Sequence, residues 1–239
     1  HWQTAYNYNK ETLNYLIGQG HALYDDYGKL FLDEMNKEVI FAIRYENPTR
    51  TQKRDATVRP ITFSMNNTGG NHPTQEVIDR FPTIDGGTYT YADWEKEGKD
   101  IFALWENRDK RFYATIVQDS CEYYGELVTM HKTGNLQRCS LGEAPGTAEM
   151  GSTNYLWRKG VYINDWRIFV DVPTDYHYVI FRYGRALLNK AEAFLCLAKS
   201  DPSKLSEAVA TFNQTRTVHG GLPESEASTL VEAWKDYKI

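Results

Sequence analysis

The chain has 239 residues, 41% of them hydrophobic and 25% charged, with a formal net charge of −5. That composition belongs to a globular protein able to bury its own core, and no apolar run approaches the ~18 residues that a membrane-spanning helix needs. Lys and Arg are dispersed along the chain, which sets nucleic acid aside as a partner, because phosphate-driven affinity needs clustered positive charge.

The first residue is His1, with no initiator Met and no signal peptide, so the chain reads as a processed product or a piece of something longer. Residues 10–20 place Leu13, Leu16 and Ile17 at helical spacing, and Gly18 and Gly20 end the pattern. In 38–45 the period changes to two. Val39, Phe41, Ile43 and Tyr45 point one way and Ile40, Ala42 and Arg44 the other, which predicts a strand. Residues 46–71 turn polar and close on "NNTGGN", a long irregular segment of the kind that often carries function. "HPTQEVIDRFP" predicts a short helix with Thr74 as N-cap and Pro82 as its stop. "TIDGGTYTYADWEKEGKD" reads as a Gly-started loop with three aromatic residues in six positions. "IFALWENRDKRFYATIV" reads as a turn of helix and then a strand with Phe112, Ala114 and Ile116 on one side. Residues 131–160, rich in Gly, Thr and Ser, are expected to be irregular, and "VYINDWRIFVDVP" follows them.

The end of the chain is the most regular part. "RYGRALLNKAEAFLCLAK" (182–199) carries Tyr183, Ala186, Leu187, Ala191, Phe194 and Ala198 on one face. Phe181, Leu188 and Leu195 form a second face, leaving a thin polar strip of Arg182, Arg185, Asn189, Glu192 and Lys199. Asp201-Pro202 is a helix-start pair, after which Leu205, Ala208, Val209 and Phe212 recur at helical spacing until Gly220-Gly221. The short connection makes the two helices an antiparallel hairpin, and the second apolar face requires further helices against it. The expected fold is therefore mainly α, with tetratricopeptide-like helical hairpins, long irregular loops and a few short strands. One repeat is evident where a stable array needs about three, so the rest of the array is expected outside this chain.

Several stretches in the same order resemble the carboxy-terminal half of the SusD/RagB family. They are "ALYDDYGKLFLDEMNKEVIFAIRY", "NPTRTQ" leading to "NHPTQEVIDRFPTIDG", "LWENRDKRFYATIV", "FRYGRALLNKAEAFLCLAK" and "FNQTRTVHGGLP". Two positions depart from the family pattern: Lys110 stands where Pro is common, and Arg185 where an acid is usual. The resemblance implies a division into a loop-rich ligand-side region (1–175), a helical hairpin (176–221) and a truncated tail (222–239). It also implies a non-catalytic lipoprotein on the outer-membrane surface of Bacteroidetes. Such a protein captures glycans, or peptides in some members, for a TonB-dependent SusC-like transporter. Its contact with the membrane would run only through an amino-terminal lipid anchor that this chain does not contain.

A sugar-binding site needs an exposed aromatic ring for C–H faces beside fixed hydrogen-bonding groups for hydroxyls. Tyr89, Tyr91, Asp93 and Trp94 form the densest such group, and Asn67 and Asn71, with Asn66, form a second one. Trp105, Arg108, Asp109 and Arg111 read instead as a structural turn, as do Arg182 and Glu192. His72 reads as a turn residue and His177 as a packed residue at a helix start. There is no P-loop, HExxH, GxSxG or EF-hand pattern, and "GQGHAL" lacks the last Gly of a dinucleotide fingerprint. No cofactor is expected. Calcium stays open, since oxygen ligands in loops leave no spacing signature. Asp93, Glu95 and Glu106 could in principle supply a glycoside hydrolase's two carboxylates, and a peptide-binding helical scaffold is the other alternative. Cys196 reads as a buried inert thiol, and Cys121 and Cys139 are the two cysteines that could pair.

Overall fold

The computed structural model describes residues 1–52, 72–123, 125–129, 153, 155–160 and 175–238. Asn66, Asn67 and Asn71, Cys139 and "VYINDWRIFVDVP" lie outside these residues, as does most of 131–160. Seven α-helices and six short strands occur among the described residues. They are α1 (Trp2–Gly18), β1 (Val39–Ile43), α2 (Gln75–Ile78), α3 (Tyr91–Glu97), α4 (Lys110–Thr115), β2 (Ile116–Val117), β3 (Glu122–Tyr123), β4 (Glu126–Leu127), β5 (Leu156–Trp157), β6 (Tyr178–Arg182), α5 (Tyr183–Leu197), α6 (Leu205–Val218) and α7 (Leu230–Tyr237).

The helical layer centres on α5, which buries Tyr183, Ala186, Leu187, Ala191, Ala193, Phe194 and Leu195. Its buried residues meet two sets of partners along its length. Tyr183, Ala186 and Leu187 pack on Leu13 and Leu16 of α1. Further along, Ala191, Phe194 and Leu195 pack on Ala208, Val209 and Phe212 of α6 and on Ala233 of α7. Phe194 is fully buried, a burial that contributes ~2–3 kcal/mol, and the Tyr6 ring lies 4.5 Å from it. The helices expected beyond this chain for the second face are thus supplied in part from within it. The helix over 10–20 starts eight residues earlier than its apolar spacing suggests, because Trp2–Asn9 offers no clean stripe. Ile17, expected on the apolar face, is exposed. Packing also crosses the boundaries drawn at 175 and 221. Residues 2–18 join the helical layer, and the stretch expected to be a tail carries α7, opened by a Thr229–Glu232 capping box.

The start of α6 follows its sequence. The Asp201 side chain accepts from Ser203 N, Pro202 sits in a 3-10 turn over Pro202–Lys204, and α6 begins at Leu205. Asn213 then accepts from the Ser225 N–H at 2.8 Å and donates to the Ser225 carbonyl at 3.1 Å, tying the chain after Gly221 back onto α6. Gly221 (φ +66°) lies against the Lys110 side chain, where a Cβ would come within 2.8 Å. Lys110 also donates its backbone N–H to Gly220 O at 3.0 Å, a bond that the proline common in the resembling family could not make.

β1 pairs antiparallel with β6, but the register shifts on both sides of Phe41. The shift breaks the alternation expected of 38–45: Val39 is buried while Phe41, two residues on, is 58% exposed. Just before β1, Glu38 is fully buried. Its carboxylate accepts from Arg182 Nη1 at 2.7 Å, the Tyr24 N–H at 2.7 Å, the Gly184 N–H at 3.3 Å and His219 at 2.9 Å. This buried cluster joins the segment before β1, the β6–α5 junction and the end of α6.

The loop-rich part has a core of its own, formed by Ile78, Leu104, Trp105, Phe112, Ile116 and Tyr155. The structural reading of 105–111 agrees with this geometry. Arg108, 1% exposed, donates to the carbonyls of Leu104 (2.9 and 2.7 Å) and Phe81 (2.8 Å). Asp109, fully buried, accepts the Phe112 N–H at 3.0 Å as the N-cap of α4 and holds Arg111 Nε at 2.9 Å. The strand expected through Phe112 and Ala114 is corrected here. The Asp109 cap starts a helix at Lys110, and only Ile116–Val117 remain extended, paired with β5. His177 is buried, as expected, but it precedes β6 rather than a helix and pairs with Glu34 at 2.9 Å. Glu192 lies 3.3 Å from the Tyr237 hydroxyl, which links α5 to α7.

Candidate functional site

Tyr91, Asp93 and Trp94 stand on a helix, with Tyr89 just before its cap, not together on a loop. Thr90 accepts the Asp93 N–H, and the Asp93 carboxylate accepts the Thr90 N–H at 2.9 Å, a complete capping box that starts α3 at Tyr91. Gly98 (φ +62°) closes the helix. The sequence reading missed α3 because its Gly pair precedes it and its apolar residues are too few to show a period. The capping signal Thr90–Asp93 was nonetheless legible in "TYAD".

This geometry sorts the four candidates. Asp93 is engaged: hydrogen bonds first from the Thr90 side chain and then from its backbone hold the carboxyl below its usual range. Its Oδ2 accepts both Thr90 bonds, so Asp93 is the cap partner that starts α3. The Tyr89 hydroxyl donates to Glu97 Oε2 at 2.8 Å, and Glu97 in turn pairs with Lys99 at 2.8 Å. Burial, and then the Glu97 hydrogen bond, push the Tyr89 hydroxyl up from its ordinary value. Trp94 is half-buried against the loop-side core and donates its indole N–H to Asp100 O at 3.0 Å. Tyr91 is 40% exposed, with its ring 5.1 Å from the Trp94 ring. Tyr91 and the open edge of Trp94 therefore form an aromatic ledge on α3, flanked by the Glu97–Lys99 pair.

Three cavities that the sequence did not signal meet at Tyr27, with volumes of about 240, 260 and 430 Å³. Tyr27 lies 5.2 Å from the His219 ring, and its hydroxyl lies 3.0 Å from Lys159 Nζ. No local pattern could have announced this arrangement, since its members come from distant parts of the chain. Among the described residues no group of three or more His, Cys, Asp or Glu could hold a metal ion. Among the same residues no helix is long and apolar enough to cross a membrane. Cys121 and Cys196 are free thiols, partly rather than fully buried, and burial raises both above the usual thiol range.

A sequence model described as the SusD family matches residues 37–229. Among solved structures, a SusD-like protein from Bacteroides fragilis is 22% identical with a TM-score of 0.66, the match covering 98% of this chain and 51% of that one. A second B. fragilis structure, described as a SusD-like carbohydrate-binding protein, is 17% identical with a TM-score of 0.67, covering 99% and 46%. A SusD superfamily protein from Parabacteroides distasonis is 17% identical with a TM-score of 0.56, covering 99% and 44%. The chain thus spans about half the length of the solved relatives it matches. A comparison with curated proteins finds no match.

Proposed function

This chain belongs to the SusD family, and from that premise we propose that it is a non-catalytic nutrient-binding protein that captures glycans at the cell surface. It does so for a TonB-dependent, SusC-like transporter of the outer membrane, as part of a protein that a lipid anchor holds to that membrane. The observation that carries the reading is the Tyr91–Trp94 pair: two neighbouring rings on a capped helix, one of them open to solvent, beside a charged pair.

Sugar rings lay their C–H faces on such rings, and Glu97 and Lys99 offer an acceptor and a donor for hydroxyls. Two rings and a few hydrogen bonds support ~4–6 kcal/mol of binding, or affinity from about millimolar to tens of micromolar. Weak capture of that order suits cargo that must be released onward.

Calorimetry of the full chain against a panel of polysaccharides tests the reading. Binding to at least one glycan, weakened tenfold or more by Tyr91→Ala, is expected, with no reducing ends released over time. Tyr91 is the better variant than Trp94, whose ring also packs the loop-side core. Unchanged affinity in Tyr91→Ala would retire the ledge, and steady release of reducing ends would retire the non-catalytic reading.

A further inference from the structure

The charges on and just after α3 resolve into engaged groups and one remainder. Residues 91–100 carry four acids, Asp93, Glu95, Glu97 and Asp100, against two bases, Lys96 and Lys99. Lys99 pairs with Glu97 at 2.8 Å. Lys96 adds its charge to the Thr90 bonds that hold the Asp93 carboxyl low. Asp100 Oδ1 accepts the Phe102 N–H at 2.9 Å. Behind the helix, Asp79 accepts the Tyr91 N–H at 3.0 Å, and its charge opposes the burial that lowers the Arg108 guanidinium. Glu95 is left over. It is exposed and makes no hydrogen bond or ion pair among the described residues. It stands four positions after Tyr91, so the two side chains are neighbours on one face of α3, with Trp94 beside them.

The same segment already shows what a ring and a carboxylate do together. Lys99 Nζ lies 2.8 Å from Glu97 and 5.9 Å from the centre of the Tyr89 ring, an ammonium shared between a carboxylate and an aromatic ring. Tyr91 and Glu95 repeat that combination, and the Trp94 ring 5.1 Å from Tyr91 enlarges its aromatic half. Here, among the described residues, no Lys or Arg of the chain stands over either ring or pairs with the carboxylate.

We propose that Tyr91, Trp94 and Glu95 select glycans bearing a free, positively charged amino group, such as glucosamine residues, over neutral or N-acetylated ones. The inference rests on the ledge reading above and names the class of sugar that the ledge takes. An ammonium gains from the ring's negative face and from the carboxylate at once, whereas a hydroxyl or an acetamido group carries no charge for either to attract. Both contacts are open to water, so the preference is moderate, about fivefold, and it weakens as salt is added.

Calorimetry with the full chain compares chitobiose, N,N′-diacetylchitobiose and cellobiose, on the acid side of neutrality where the sugar amines are protonated. The three disaccharides share one β-linked backbone and differ only in bearing an ammonium, an acetamido group or a hydroxyl at the same carbon. Chitobiose is expected to bind about fivefold tighter than either of the others, with the difference shrinking as salt is added. Glu95→Gln is expected to bring chitobiose level with cellobiose while keeping its circular dichroism spectrum, since Glu95 holds nothing else in place. Tyr91→Ala is expected to weaken chitobiose further than Glu95→Gln does, because it removes the stacking surface as well. Equal binding of the three sugars, or a chitobiose preference that survives Glu95→Gln, overturns the proposal and leaves the ledge reading standing. No binding of chitobiose by the folded chain also overturns it. The wider polysaccharide panel then decides the ledge separately, through a bound glycan that Tyr91→Ala either weakens or does not.

Discussion

Replacing Glu38 with Gln tests whether the helical layer and the β1–β6 pair are held by one buried charge cluster. The carboxylate is fully buried and accepts from two backbone N–H groups, Arg182 and His219. Taking one partner out of a buried ion pair costs ~3–5 kcal/mol, because the remaining charge has lost its counterpart. The Arg182 side chain keeps 21% exposure and can turn toward the adjoining cavity, which places the expected cost near the lower end, at ~3 kcal/mol. The amide oxygen of Gln can still accept one bond, but its NH₂ would face N–H donors. Urea unfolding at pH 7 should show the midpoint falling with the slope unchanged.

The same substitution carries a pH signature. Burial by itself pushes the Glu38 carboxyl up, but the hydrogen bond and charge of His219, the Tyr24 N–H and Arg182 outweigh it and hold the carboxyl below its ordinary value. A folded-state pKa below the unfolded value of ~4.3 means the stabilisation is complete above that pH. It is lost as pH falls through the folded value. The stability gap between the native chain and Glu38→Gln should therefore be present at pH 5 and narrow as pH falls below ~4. A loss under ~1 kcal/mol at pH 7, or a gap that persists undiminished to pH 3, would refute the argument.

Two further substitutions probe the neighbouring geometry. Gly184→Ala should destabilise by ~1–3 kcal/mol in thermal or urea unfolding even though Ala favours helix, because a Cβ there would lie 2.6 Å from Arg182 Nη1 and 2.8 Å from Glu38 Oε1. A neutral or stabilising result would mean the cluster tolerates displacement. Thr90→Ala should cost ~1 kcal/mol by removing the α3 cap, and it should return the Asp93 carboxyl toward its ordinary pKa, read by NMR titration. An unmoved Asp93 titration would show that the capping box is not what holds that carboxylate.

The late hairpin was legible because its signals are local. Leu205, Ala208, Val209 and Phe212 repeat at 3.6-residue spacing, and Asp201-Pro202 marks the helix start within one turn. The two-sided burial of α5 was equally plain. Its second partner was not, since nothing near residues 2–18 names α5. The errors arise where local patterns compete. Phe112, Ala114 and Ile116 alternate like a strand, but the Asp109 cap, anchored by a buried Arg108, imposes a helix first. Phe41 was assigned to the face of Val39 because a register shift of one residue leaves no trace in composition. At the site, the aromatic cluster was plain in the sequence, while the capping role of Asp93 was passed over. Glu38 and His219, 181 positions apart, meet only through the fold, so no motif could have joined them.

β1 and β6 lie at either end of the long stretch 44–177, and the Glu38 cluster locks their junction. That stretch has, among its described residues, a small core of its own and meets the end of α6 through bonds such as Lys110 on Gly220. It is an arm hung from a neck. Doubling a flexible loop's length costs only ~0.6 kcal/mol of closure entropy, so surface segments of the arm can be lengthened or exchanged while the shoulder stays intact. The hand can be rewritten without rebuilding the body.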